Sequence, residues 1–188
     1  FLGMAAHDLR NPLTIITNYA EFIMEYSEDD LSDQTNDFLK KIHNSAYFML
    51  ELIEDILDVS KIETGKLHLE PEKTEIISFT KDIIDRNNII AAKKDINIRL
   101  ESAVKIKHIK IDKQKIEQVF NNLLNNAVKF SYPNSEIFVI FEEHADIIQV
   151  EIRDSGIGIK EEFKDKIFIP FQKHKVRGTK GEKGTGLG

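Results

Sequence analysis

The sequence contains no cysteine in its 188 residues. This excludes disulfide bonds, thiolate catalysis and zinc sites built from thiolates, and it fits a reducing compartment. No run of about 18 apolar residues occurs, so neither a membrane span nor a signal peptide is predicted. The formal net charge of −6 argues against a broad nucleic-acid-binding face. We therefore expect a cytoplasmic location and no contact of these residues with nucleic acid or membrane, whether or not the parent protein is membrane-anchored.

The overall composition is that of a globular protein, with 41% hydrophobic and 31% charged residues. The length suits one large domain or two small ones. The chain does not begin with Met and stops within a glycine motif, so we interpret it as a fragment of a longer protein.

Two stripes of apolar residues predict a helical hairpin in the first third of the chain. The first alternates in steps of four and three and comprises Leu2, Ala6, Leu9, Leu13, Ile16, Ala20 and Ile23. A polar break over residues 27–33 fits a turn. The second stripe is wider and comprises Phe38, Ile42, Ala46, Met49, Leu50, Ile53, Ile56 and Leu57. Two helices cannot bury both stripes, so we expect a homodimeric four-helix bundle.

The pattern changes near Gly65, which suits a helix C-terminus, and we place a domain boundary between residues 1–66 and 67–188. Leu67 and Leu69 alternate like a short strand. The further expected elements are helices over 76–93, 113–130 and 160–166, a strand over 96–100, and an antiparallel pair over 137–142 and 147–153. The fold class is therefore α+β, a helical hairpin followed by an α/β sandwich with helices on one face of a mixed sheet.

A candidate nucleophile, His7, lies in the first helix. His7, Arg10 and Asn11 share one helix face with Asp8 at its flank. A neutral imidazole is a competent nucleophile, and a carboxylate such as Asp8 can accept one ring N–H and support the developing positive charge. Pro12 removes a backbone donor, which predicts a kink beside the histidine. A lone histidine would more often be an ordinary surface residue, and we expect His43, His68, His108, His144 and His174 to be ordinary surface or boundary residues.

The helix over 113–130 carries a polar side that suits a metal and a phosphate. Its expected buried face comprises Ile116, Val119, Phe120, Leu123, Leu124 and Ala127. Asn122 and Asn126 are candidate Mg²⁺ ligands through their amide oxygens, and Lys129 can neutralise phosphate. The alternative is a solvated polar face, but asparagine is a poor helix former and four of six consecutive positions carry it.

A glycine turn follows a predicted strand at Asp154. Gly156 and Gly158 can take positive φ and let the backbone approach a planar base. A buried carboxylate at Asp154 would accept from the exocyclic amine of adenine and repel the carbonyl of guanine, which favours ATP over GTP. Glycine turns after strands are common, so this motif gains weight only from the asparagine-rich helix before it.

The last residues, 173–188, are basic and rich in glycine, as in a mobile lid over a triphosphate. Phe168 and Phe171 would anchor its hinge. A flexible linker and ordinary core packing are the alternatives for these two features.

These motifs resemble the sensor histidine kinases of two-component signalling. Residues 7–12 resemble the H box, 122–129 the N box, 154–158 the G1 box, 168–171 the F box and 184–188 the G2 box. The resemblance implies a dimeric hairpin domain for dimerisation and histidine phosphotransfer, followed by a Bergerat-type ATP-binding domain shared with gyrase and Hsp90. It implies autophosphorylation of His7 from ATP and Mg²⁺, with transfer to an aspartate in the receiver domain of a response regulator.

The resemblance also assigns a role to each matching residue. By this resemblance, Asn126 is the Mg²⁺ ligand with Asn122 beside it, and Lys129 contacts phosphate. Phe130 forms one wall of the adenine pocket, and Asp154 recognises adenine. Asn11 helps to hold the water of a phosphatase reaction. The remaining nucleotide contacts would be Gly156, Gly158, Lys173, Gly184, Thr185, Gly186, Leu187 and Gly188.

The sequence departs from the family pattern in three places. Asp8 stands where Glu is commoner, which shortens the reach of the acid–base group. Lys173 stands where Arg is frequent, so a phosphate contact there would be monodentate. Family members continue past the G2 box with a helix and strands, so we expect an ATP-binding domain truncated at its C-terminus.

Two other functions compete with the kinase. Hydrolytic ATPases of the same sandwich fold carry a Glu four residues before the metal-binding Asn, and here that position is Asn122, which is not a base. A catalytically weak dimeric scaffold that only docks a partner is the second alternative. A measurement of ATP turnover separates all three.

Overall fold

The computed structural model describes residues 2–26, 32–105, 108–145, 147–167 and 178–182, without the side chains of residues 2–8, 26, 51, 55 and 63. The chain divides into two compact units, Phe1–His68 and Leu69–Gly186. None of the helices in the described ranges combines the length and apolar character that crossing a bilayer requires.

The first unit is a helical hairpin, as predicted. Helix α1 spans Leu2–Tyr26 and contains Pro12, and helix α2 spans Asp33–Glu63. Contacts of Arg10 with Glu54 and of Glu21 with His43 show that the helices run antiparallel. The Ser32 side chain caps α2 by accepting a hydrogen bond from the Thr35 amide. Beyond α2, Gly65 takes φ +64°, the left-handed conformation that ends a helix without strain at glycine.

The hairpin buries only part of each apolar stripe. Leu13 and Ala20 of α1 and Ala46 and Ile53 of α2 are buried. Other large apolar side chains stay exposed, namely Leu9, Ile15, Ile16, Tyr19, Phe22, Ile23, Phe38, Ile42, Tyr47, Phe48, Met49 and Ile62. An apolar surface of this extent is typical of a binding interface.

The second unit is an α+β sandwich. Its strands are β1 (Glu72–Glu75), β2 (Asn97–Ser102), β3 (His108–Ile111), β4 (Glu136–His144) and β5 (Ile147–Arg153). Its helices are α3 (Ile76–Ala91), α4 (Lys113–Phe130) and α5 (Glu161–Lys164), and a 3₁₀ turn over Ala92–Lys94 follows α3. β4 pairs in parallel with β2 and antiparallel with β5, which makes the predicted mixed sheet. β1 pairs antiparallel with β3 in a separate sheet.

The core lies between one face of β4 and the helices α3 and α4. Ile137, Val139 and Phe141 alternate along β4 and are fully buried. The ring of Phe120 on α4 stacks on Phe141 with centroids 6.4 Å apart. This packing sets the rotation of α4 about its axis, and therefore the direction of its polar side chains.

The buried face of α4 differs from the prediction at two positions. Val119 and Leu123 are 51% and 48% exposed, whereas Phe120, Leu124, Ala127 and Val128 are buried. The buried positions follow helical spacing of four, three and one residues. Val119 and Leu123 lie one residue earlier, about 100° around the helix. Their apolar character suggested burial, but the packing against the sheet selects the neighbouring stripe.

The prediction of a short strand at Leu67 and Leu69 was also wrong. Neither residue is in a strand, and the first strand begins at Glu72, after Pro71. Its residues pair with His108–Ile111, far along the chain. Both strands have only four residues, and three of the four in β1 are charged, so the sequence did not reveal this pair.

Replacing Leu124 by Ala should lower the free energy of unfolding by about 3 kcal/mol, because the side chain is fully buried and its removal leaves a cavity. The matched variant Leu123→Ala should cost less than about 1 kcal/mol, since that side chain is half exposed. Urea unfolding measures both. Equal losses would show that the buried face of α4 is wrongly assigned.

Candidate functional site

The histidine region of α1 is described only in part. The backbone of His7 and Asp8 lies within α1, and their side chains lie outside the described residues. Asn11 is exposed and therefore accessible. Arg10 places Nη2 3.9 Å from Glu54 Oε1 on α2, and its Nε is buried without a hydrogen-bond partner among the described residues. Arg10 thus faces α2, while the exposed Asn11 points to solvent.

The asparagines of α4 divide into two groups. Asn122 is exposed and Asn126 is half-buried. Asn121 instead accepts a hydrogen bond from Asn87 of α3, at 2.9 Å, which joins the two helices. Asn122, Asn126 and Lys129 follow one another at steps of four and three, so they lie along one side of α4. The candidate metal side predicted from the sequence is therefore accessible, and Asn121 has a structural role.

The turn after β5 lies against the carboxyl end of α4. The Ile157 amide donates to the Phe130 carbonyl at 3.1 Å, and the Tyr132 amide donates to Ser155 at 3.3 Å. Gly156 and Ser131 form an isolated antiparallel bridge. A Cβ at Gly156 would lie 2.3 Å from the Phe130 carbonyl oxygen, so only glycine permits this approach. The structure thereby places the two motifs beside each other.

Asp154 and Gly158 differ in how well they match the prediction. Gly158 takes φ +66° and has open space beside it, as expected for a turn that a ligand approaches. Asp154 was expected to be buried, and this was wrong, because its side chain is exposed. Its Oδ1 accepts a hydrogen bond from the Gly156 amide at 2.9 Å. Aspartate at the start of a turn commonly accepts from the backbone amide two residues further on.

Lys129 is a partly desolvated cation at the same end of α4. Its Nζ lies 4.7 Å from the centroid of the Phe130 ring, within the range of a cation–π contact. Burial lowers the pKa of Lys129 below its usual value, and the negative charge of Glu182 partly opposes that shift. A partly desolvated cation interacts more strongly with an anion than a fully hydrated one does, which suits a phosphate contact.

Part of the segment expected to be a mobile lid is held against α4, which corrects that expectation for residues 178–182. The Thr179 amide donates to the Lys129 carbonyl at 3.1 Å, and its hydroxyl donates to the Ser131 carbonyl at 2.6 Å. Lys180 Nζ donates to the Lys93 carbonyl. The other residues named for this region, Phe168, Phe171, Lys173, Gly184, Thr185, Gly186, Leu187 and Gly188, lie outside the described residues.

Two polar contacts were missed by sequence reasoning. Lys94 is buried and donates to the carbonyls of Val128 and Lys129 and to Glu182. His43, expected to be an ordinary surface or boundary residue, is half-buried and places Nε2 2.8 Å from Glu21 Oε1 across the hairpin. In both cases the partners are far apart in sequence, and neither Lys94 nor His43 belongs to a recognisable motif.

Comparison with known families gives two matches along the chain. Residues 1–65 match the family described as "His Kinase A (phospho-acceptor) domain". Residues 111–188 match the family described as "Histidine kinase-, DNA gyrase B-, and HSP90-like ATPase". Together the two families account for most of the residues.

Curated relatives match along the whole chain. The "Non-motile and phage-resistance protein" of Caulobacter vibrioides is 34% identical, with 100% of this chain and 23% of that protein covered. The "Circadian input-output histidine kinase CikA" of Synechococcus elongatus is 30% identical, with 100% and 25% covered. The chain therefore spans about a quarter of the length of these relatives.

Solved structures give the same fold. Full-length ShkA in complex with AMPPNP has a TM-score of 0.78 at 19% identity and covers 99% of this chain and 38% of that one. The histidine kinase ThkA in complex with the response regulator protein TrrA has a TM-score of 0.57 at 28% identity and covers 94% and 50%.

The close approach at Gly156 can be tested by substitution. Gly156→Ala should lower the free energy of unfolding by about 3 kcal/mol, because the added Cβ would collide with the backbone of Phe130, which is fixed at the end of α4. Gly158→Ala has space and should cost only about 1 kcal/mol, from its positive φ. Hydrogen exchange of the Ile157 amide should accelerate in Gly156→Ala alone. Unchanged protection there would contradict the contact with Phe130.

Proposed function

The chain belongs to the sensor histidine kinases, and from this premise we propose that it phosphorylates itself on His7 from ATP and passes the phosphoryl group to an aspartate of a response regulator. The observation that carries the proposal is the convergence at the carboxyl end of α4. There the Phe130 carbonyl bonds the turn 154–158, and the partly desolvated Lys129 lies beside it. The contact between α4 and the turn 154–158 supports a single nucleotide site built from both.

The groups at this site fit a nucleotide. Lys129 supplies a cation for phosphate, and the open space beside Gly158 admits a ligand close to the backbone. Phe130 supplies an aromatic face, and Asp154 an exposed carboxylate that can accept from an adenine amine. ATP supplies the γ-phosphoryl group that the reaction transfers. Gly156 contributes by letting the turn approach α4.

A magnesium ion at this site would depend on amide ligands. Within the described ranges, no group of three or more His, Cys, Asp or Glu side chains could hold a metal ion. Asn126, with Asn122 one helical turn before it, offers hard oxygen ligands, and nucleotide phosphates would complete the coordination. The magnesium ion would neutralise part of the negative charge of the phosphates.

His7 would act as the nucleophile. Its imidazole nitrogen forms a bond to the γ-phosphorus as the bond from that phosphorus to the bridging oxygen breaks, and ADP leaves. Asp8 is the group proposed to accept the other ring N–H and so to support the positive charge on the ring. Asn122, an amide where hydrolytic relatives have Glu, cannot activate water as a base, which favours transfer over hydrolysis.

The partners would be a second copy of the chain and a receiver domain. The hairpin leaves twelve large apolar side chains exposed among its described residues, and a four-helix bundle of two copies would cover such a surface. The ThkA structure contains a response regulator bound to a related kinase, which supports the same kind of partner here. Asn11, exposed one turn beyond His7, could orient water for phosphatase activity.

His7→Gln should abolish labelling of the protein by γ-labelled ATP while leaving binding of Mg-ATP nearly intact, because the nucleophile and the nucleotide site belong to different units. The label on the unmodified protein should be acid-labile and base-stable, as expected for phosphohistidine. His43→Gln is the matched control and should keep its label. Acid-labile label on His7→Gln would refute the assignment of His7.

Asn126→Ala should weaken nucleotide binding about 10- to 100-fold in Mg²⁺ and much less in EDTA, because it removes a proposed metal ligand. Asn125→Ala, an exposed neighbour on the same helix, is the control and should change binding little in either condition. Isothermal titration gives all four dissociation constants. The same loss with and without metal would mean that Asn126 only supports the helix.

A further inference from the structure

Lys94 is a charged residue in the interior of the second unit. Its side chain is only 6% exposed. Its Nζ donates to the carbonyls of Val128 at 2.9 Å and Lys129 at 2.8 Å, and to Glu182 Oε1 at 2.8 Å. An ammonium group has three donors, so all of them are used. Burying a lysine is costly unless it is paired, and here the partners are the end of α4 and a distant carboxylate.

Glu182 belongs to a turn that is organised around its own side chain. Its Oε2 accepts from the Lys180 amide at 2.8 Å, and its carbonyl accepts from the Gly178 amide at 3.0 Å. Burial acts to raise the pKa of Glu182, but the hydrogen bonds from Lys94 and the backbone outweigh it and the pKa is lowered. The carboxylate is therefore ionised at neutral pH, and the contact with Lys94 is an ion pair.

The same turn reaches the residues beside the nucleotide site. Thr179 binds the carbonyls of Lys129 and Ser131, one on each side of Phe130. A Cβ at Gly178 would lie 2.7 Å from the Lys129 carbonyl oxygen, so the turn is in close contact with α4. Lys94 therefore connects the turn to the helix end that carries Lys129 and Phe130.

We propose that Lys94 is a positioning residue of the nucleotide site, which holds the end of α4 and the turn 178–182 in a single arrangement. The inference rests on the proposed function, because it assumes that Lys129 and Phe130 contact ATP. The carbonyls at the end of a helix carry partial negative charge and lack partners within the helix. Lys94 satisfies two of them and neutralises Glu182, so its loss frees the turn and the last residues of α4 together.

Lys94→Met keeps an unbranched side chain and removes the ammonium group. We expect it to raise the dissociation constant of Mg-AMPPNP about tenfold or more, because the binding-competent arrangement becomes a minor state. Glu182→Gln should have a smaller effect, since Lys94 then still binds both carbonyls. Lys93→Met alters the exposed neighbouring lysine and is the matched control, with no expected change.

Isothermal titration separates positioning from general stability. A fraction of irreversibly unfolded protein lowers the number of binding sites and leaves the dissociation constant of the remaining folded protein unchanged. A positioning role raises the dissociation constant at unchanged stoichiometry. The double variant Lys94→Met, Glu182→Gln should bind no more weakly than Lys94→Met alone, because both changes disrupt one contact.

Hydrogen exchange gives a readout that needs no nucleotide. The amides of Gly178, Thr179, Lys180 and Gly181 are all hydrogen-bonded, and they should exchange faster in Lys94→Met than in Lys93→Met. A dissociation constant for Lys94→Met equal to that of Lys93→Met, or reduced stoichiometry alone, would overturn the positioning role and leave the kinase proposal standing. If the unmodified protein fails to bind Mg-AMPPNP, both proposals fail, while exchange still shows whether Lys94 holds the turn.

Discussion

The last carbonyl groups of α4 need hydrogen-bond donors, and this requirement organises the second unit. A helix leaves its final carbonyls without partners inside the helix. Here Lys94 donates to Val128 and Lys129, Thr179 donates to Lys129, and Ile157 donates to Phe130. The donors come from three separate parts of the chain. Satisfying one helix end therefore gathers the turn after β5, the turn 178–182 and the 3₁₀ turn after α3 around Lys129 and Phe130.

The same arrangement explains the electrostatics of the proposed site. The segments around the end of α4 partly bury Lys129, which lowers its pKa, while the charge of Glu182 partly opposes that shift. Lys94 forms an ion pair with Glu182. The Glu182 carboxylate therefore does not depend on Lys129 as its only partner. Lys129 keeps its contact with the Phe130 ring and is available to an anion. Backbone geometry and charge thus support the same conclusion about phosphate binding.

The two units differ in how they bury their apolar side chains. In the second unit, β4 alternates strictly and packs Ile137, Val139 and Phe141 against helices of the same chain. In the hairpin, Leu13 and Ala46 are buried while Ile16 and Ile42 stay exposed. Two amphipathic helices offer only one contact line to each other, and the rest of each stripe requires another surface. This difference is the physical basis for proposing that the hairpin dimerises and that the sandwich folds within one chain.

The sequence alone determined most of the elements, because helix and strand periodicities are local. Residues 113–130 were predicted as a helix and form α4, and the β4–β5 pair follows from alternation and a short connection. The tertiary structure determined the features that depend on contacts between residues far apart in the sequence. It selected Leu124 over Leu123 as the buried residue, paired β1 with β3, left Asp154 exposed and buried Lys94. The interior position of Lys94 follows only from the carbonyls and the carboxylate that surround it, and those residues lie 34, 35 and 88 positions away in the chain.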